Sequence, residues 1–179
     1  MVGAEAKWRG LSLACGAVAA IATVGACSNV GGAPGWRLAT AADVAKLARD
    51  QTIPASEVPV DQKLAVSADF DGDGREDKAA LMLNDGKGLR ALFVFPGAGG
   101  APIQLTAGEA SNDLWNQGLG LVEPGVYATA CGKGMGDAAA PCRPKLTLRN
   151  SAVELFTYEA GGVAFFWNGR AFEREWLTD

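Results

Sequence analysis

Nine residues near the middle of the chain, Asp69-Phe70-Asp71-Gly72-Asp73-Gly74-Arg75-Glu76-Asp77, constrain the fold more than any other stretch. Four aspartates this close repel one another unless a cation sits among them, and glycine supplies the positive φ of a tight loop. Without a cation such a loop should be strained or mobile. The flanks say what it connects. Lys63 to Ala68 alternates polar and apolar residues through Leu64, Val66 and Ala68, and Ala79-Ala80-Leu81-Met82-Leu83 is a short apolar run stopped by Asn84-Asp85-Gly86. Both read as strands, so the loop joins two strands.

The spacing suits Ca²⁺, a hard cation that takes about six to eight oxygens at roughly 2.3–2.6 Å. Asp69, Asp71, Asp73 and Asp77 are the expected side-chain ligands, and Arg75 contributes its backbone carbonyl. An EF-hand is excluded by Ala80, which stands where the bidentate Glu of that motif belongs, and by the strands on either side. The DxDxDGxxD loop between strands resembles the calcium loops of FG-GAP repeats, found in α-integrin propellers, and of exported bacterial VCBS-like proteins. The resemblance covers residues 64–84. The alternative is an Asp/Gly-rich turn that holds no metal.

The first 26 residues read as an export signal, with Lys7 and Arg9 ahead of an apolar, small-residue run from Leu11 to Ala26. That run falls short of the roughly 20 residues needed to span a bilayer. Val24-Gly25-Ala26-Cys27 resembles a bacterial lipobox, which implies a lipidated Cys27 as the first mature residue and a membrane anchor. Cleavage as an ordinary signal peptide is the alternative. Lipidation accounts for an otherwise odd thiol, because Cys15 leaves with the signal and Cys131 and Cys142 can pair with each other. Such a disulfide fits a periplasmic or extracellular compartment. Ser28 after the cysteine resembles outer-membrane sorting if the host has two membranes.

Residues 27–36 have the composition of a flexible tether, and 37–179 form one domain-sized unit. Thr40 can cap a short helix from Ala41 to Arg49, with Val44, Leu47 and Ala48 on one face. From residue 63 onward short apolar runs alternate with glycine, proline and asparagine turns. Expected strands are Leu89–Pro96, Ile103–Thr106, Leu119–Val122, Val126–Ala130 and Lys145–Arg149, with Leu114–Gln117 undecided between states. Asn168-Gly169 signals a two-residue hairpin that pairs Trp167 with Arg170 and Phe165 with Phe172. The C-terminal stretch also resembles the ends of small exported bacterial proteins that carry a DGDG loop. The expected fold is therefore mainly β (β-rich α+β): an antiparallel meander or small sandwich with one short N-terminal helix and one propeller-type calcium loop. A full propeller needs several blades of about 40–50 residues each and is excluded.

The chain contains no histidine, which removes Ser-His-Asp and Cys-His catalysis and imidazole zinc sites. It has no GxSxG elbow and no Walker loop, since Gly132-Lys133-Gly134 lacks the following Ser or Thr. Glu154 with Glu159, or Glu173 with Glu175, could be read as a glycosidase pair, but strand alternation makes them solvent-facing charges. No basic patch points to nucleic acid. The expectation is a non-enzymatic, calcium-binding envelope lipoprotein whose Ca²⁺ is structural. The alternative is an envelope module that binds or inhibits a protein, or recognises a glycan, through the C-terminal aromatic hairpin, with Trp167 at its tip as the exposed contact.

Overall fold

The computed structural model describes residues 33–135 and 142–177. The chain is mainly β, and among the described residues the strand pairs are all antiparallel and the sheets close into neither a barrel nor a propeller. In order come β1 (Arg37–Leu38), α1 (Ala41–Asp50), β2 (Ala65–Ala68), β3 (Asp77–Asn84), β4 (Leu89–Phe95), β5 (Ile103–Gln104), β6 (Glu109–Ala110), β7 (Gln117–Val122), β8 (Gly125–Ala128), β9 (Lys145–Leu148), β10 (Ala152–Thr157), β11 (Gly161–Trp167) and β12 (Phe172–Trp176). The first sheet is built on β3 and β4. Strands β1 and β2 share one edge of β3, and β5 and β6 share the far edge of β4. The second sheet runs β12-β11-β10-β7, and β8 with β9 forms a separate hairpin.

Alternation decides the layers. Leu81, Leu83, Leu92 and Val94 from the first sheet meet Leu119, Val153 and Phe165 from the second in one cluster, closed at one end by Val44 of α1 and by Leu114. Each large side chain so buried contributes about 1.5–3 kcal/mol. The two sheets thus form a small sandwich, joined at one edge where Leu119 N–H donates to the Lys63 carbonyl at 2.8 Å. The opposite face of the first sheet, with Ala80, Met82, Ala91 and Phe93, packs against Ala33, Trp36 and Leu38. The opposite face of the second, with Ala152, Ala164 and Phe166, is covered by Leu146 and Leu148 of β9.

The helix forms as its caps predict. The Thr40 hydroxyl accepts the Asp43 N–H, and the Asp43 carboxylate accepts the Thr40 N–H at 2.8 Å. Asp43 also receives a two-pronged bond from Arg37, 2.8 Å at each oxygen. The structure differs from the sequence reading at the start of the domain and at its last hairpin. Ala33 to Trp36, assigned to the tether, belong to the fold, because the Trp36 ring sits 5.2 Å from that of Phe93. The C-terminal hairpin takes another register, with Trp167 opposite Phe172 and Phe165 opposite Arg174. Asn168 causes the shift: its side-chain oxygen accepts both Arg170 N–H and Ala171 N–H, which extends the loop to four residues.

Candidate metal centre

The loop between β2 and β3 is folded by its own carboxylates. Asp69 accepts Gly72 N–H at 2.7 Å and Gly74 N–H at 2.9 Å, Asp71 accepts Asp73 N–H at 3.0 Å, and Asp73 accepts Arg75 N–H at 2.8 Å. Gly72 and Gly74 adopt φ of 80° and 84°. At Gly72 space is also short, since a Cβ would lie 2.6 Å from the Asn150 amide. Turned over about its own axis, that amide places its oxygen 3.2 Å from Gly72 N–H and its nitrogen 3.3 Å from the Arg149 carbonyl, the orientation that satisfies both groups. Phe70 turns the other way and is fully buried in the main core.

Asp77 anchors the arrangement. It is 1% exposed, and its two oxygens accept the buried Phe70 N–H at 2.9 Å and the Gly97 N–H at 2.7 Å. Glycine is required at 97 because a Cβ there would fall 2.2 Å from the Glu76 carbonyl. One carboxylate therefore ties the loop, the first residue of β3 and the chain leaving β4.

One carboxylate oxygen from each of Asp69, Asp71 and Asp77 falls within 4.8 Å of the other two. Oxygens about 2.3–2.6 Å from a common Ca²⁺ can stand up to about 5 Å apart, so the triad fits that ion. Each carboxylate oxygen has a second lone pair beyond its hydrogen bond. Burial pushes the Asp71 carboxyl above its usual range, and the charges of Asp77, Asp73 and Asp69 push it further against the Asp73 N–H bond. A bound cation would relieve that repulsion.

Of the residues read from sequence, the structure brings Asp69, Asp71 and Asp77 together. Asp73 is not in the triad, and Arg75 lies on the exposed part of the loop. Cys131 and Cys142 are joined as a disulfide. Cys27 lies outside the described residues. Trp167 is half-buried edge-on against Phe172, ring centres 5.2 Å apart, and among the described residues Trp176, 55% exposed, is the tryptophan that faces solvent. Glu173 and Glu175 turn to Arg143 rather than simply to solvent, at 3.0 and 3.9 Å. Asn150 and Gly97, which brace the loop from 73 and 20 residues beyond Asp77, had no local signature.

Fold and loop together define a class: a mainly β protein with antiparallel sheets and an acidic triad able to hold a metal ion. Beyond that class, no family model, no curated protein and no solved structure matches the chain.

Proposed function

We propose that this is a non-enzymatic envelope lipoprotein in which Asp69, Asp71 and Asp77 hold a structural Ca²⁺. The observation that carries the calcium reading is the convergence of three carboxylate oxygens within 4.8 Å on a loop clamped to the core by a buried Asp77. An ion there would neutralise the repulsion around Asp71 and fix the loop over Phe70. Asp73 and the Arg75 carbonyl are further candidate ligands, and water would complete the shell.

The envelope location is supported by the export-signal reading of residues 1–26 and by the Cys131–Cys142 disulfide, which belongs to an oxidising compartment. The non-enzymatic reading is supported by the lack of histidine in the sequence. Calcium at 100 times its dissociation constant adds about 2.7 kcal/mol of stability, worth roughly 5–10 °C for a domain of this size. Melting in EDTA against millimolar calcium tests it; no shift, with calorimetry silent, rejects the calcium site. Fatty-acid labelling of the wild type and of Cys27→Ser tests the anchor, and an unlabelled wild type rejects it.

A second reading, an envelope module that binds a protein or glycan, is favoured by one observation. A cleft of about 680 Å³ opens beside Trp167, between the C-terminal hairpin, the turn at Asn150 and the acidic loop.

A further inference from the structure

On the side of the sandwich away from the Lys63–Leu119 bond, the edge strands β5 and β12 stand on either side of a cleft of about 500 Å³. Two bonds show which backbone groups of β12 are spare. Asn168 N–H donates to the Ala171 carbonyl and Leu177 N–H to the Gly162 carbonyl, each at 3.0 Å, at the two ends of the pairing with β11. Antiparallel pairs alternate between bonded and unbonded, so residues 171, 173, 175 and 177 turn their N–H and C=O to β11, and 172, 174 and 176 turn theirs outward. The Trp176 carbonyl is taken by Ala130 N–H at 2.8 Å. The outward N–H and C=O of Phe172 and Arg174 have no partner among the described residues.

The side chains along this edge narrow the occupant. Arg174 stands opposite Phe165, a core residue, and Phe172 packs on the same core, so both face the cleft and not the outer layer. Arg170, two residues earlier in the turn, lines the cleft as well. Arg170 and Arg174 are exposed, and neither guanidinium has a hydrogen bond or ion pair among the described residues. Glu173 also borders the cleft, but Arg143 at 3.0 Å and Asn168 at 2.7 Å take up its carboxylate. Across from β12, Ile103 and Leu105 supply an apolar wall.

Spare backbone groups on a strand edge match another polypeptide strand, which supplies the same donors and acceptors at the same spacing. A second copy of this chain does not suit the edge. Two-fold pairing centred on Phe172 would set Arg170 of each copy against Arg174 of the other, and like charges directly opposite destabilise a pair. Carboxylates at those two positions replace repulsion with charge-assisted hydrogen bonds. An apolar residue between them would cover Phe172 beside Ile103 and Leu105.

We infer that the free edge of β12 binds an extended acidic peptide segment, antiparallel, with an apolar residue opposite Phe172 and acidic residues two positions to either side, opposite Arg170 and Arg174. This rests on the binding-module reading, narrows it to a polypeptide, and is independent of the calcium site. The test is titration of the ¹⁵N-labelled protein with the peptide acetyl-SETVTES-amide, with its lysine counterpart acetyl-SKTVTKS-amide, and with the first peptide N-methylated at its valine and both glutamates. The glutamate peptide should shift the Phe172 and Arg174 amide signals and slow their hydrogen exchange, binding at least tenfold more tightly than the lysine peptide. N-methylation, which removes the donors facing β12, should weaken binding tenfold or more. Arg174→Glu, at an exposed position, should reverse the preference between the two charged peptides. Unmoved Phe172 and Arg174 amides, equal affinity for both charges, undiminished binding of the N-methylated form, or a preference untouched by Arg174→Glu overturns the proposal. Dimerisation of the free protein that protects these two amides would make a second copy the occupant and overturn it too. Peptide shifts confined to the Trp167 indole would reject the edge while leaving the binding-module reading in place.

Discussion

Replacing Asp77 by alanine should cost more than any other single change in the acidic loop. The side chain is 1% exposed and accepts two backbone N–H bonds, from Phe70 at 2.9 Å and Gly97 at 2.7 Å. Hydrogen bonds to a charged group contribute about 1.5–3 kcal/mol each, and a donor left buried without a partner carries its full desolvation cost. Phe70 N–H is buried and Gly97 N–H partly so, which puts the loss near the middle of the summed range, at about 4 kcal/mol. Against the roughly 5–15 kcal/mol of a typical domain, that is a large share. Asp77→Asn keeps the shape and one acceptor but turns an NH₂ toward one of the two donors, so about half the loss should remain. Asp73→Ala, which removes only an exposed bond to Arg75 N–H, should cost less than about 1 kcal/mol. Urea unfolding followed by tryptophan fluorescence measures all three, in EDTA so that no ion contributes. If Asp77→Ala loses no more than Asp73→Ala, the clamp reasoning is wrong.

Two glycines separate crowding from backbone strain. Gly74→Ala should cost about 1 kcal/mol, because its φ is 84° but nothing lies within 4 Å of a Cβ, whereas Gly72→Ala, pressed on Asn150, should cost clearly more in the same unfolding assay. Replacing Cys131 and Cys142 together by serine should lower stability by about 3 kcal/mol through the lost loop constraint; a loss under about 1 kcal/mol would show that the hairpin is already ordered by its packing. The Arg37 guanidinium holds the Asp43 carboxyl at about 2, below the 3.8 usual for an aspartate. Because the folded value is the lower one, the stabilisation is full above about pH 4 and is lost as pH falls towards 2. Asp43→Asn should flatten the stability curve between pH 4 and 2, and an unchanged acid limb would remove Asp43 from that account.

Local chemistry made much of the fold legible. Thr40 and Asp43 mark the helix start because a cap is settled within four residues, and β3 and β4 read as apolar runs because both faces are buried. The hairpin register was not legible. Asn-Gly favours a two-residue turn, but the Asn168 side chain bonds two N–H groups beyond Gly169, and Trp167 gains an aromatic partner in Phe172. Both effects depend on the pairing they help to choose. At the candidate metal centre, the loop spacing names the carboxylates but not which of them converge. That selection comes from Asp77 entering the core and from Asn150, in the turn before β10, and Gly97, just past β4, closing in from elsewhere in the chain, and none of these contacts leaves a mark near residue 69.

The β8–β9 hairpin leaves the second sheet after Val122, and the chain returns with Ala152 directly opposite Val122 in the ladder between β7 and β10. The two ends of this excursion therefore already stand at hairpin distance. Residues 123–151 could be exchanged for a short turn without altering the order β12-β11-β10-β7, which makes the excursion a natural grafting point. Its removal would uncover Ala152, Ala164 and Phe166. A shortened chain would then need polar replacements there to avoid associating through that face, and would also lose Asn150 from beside Gly72.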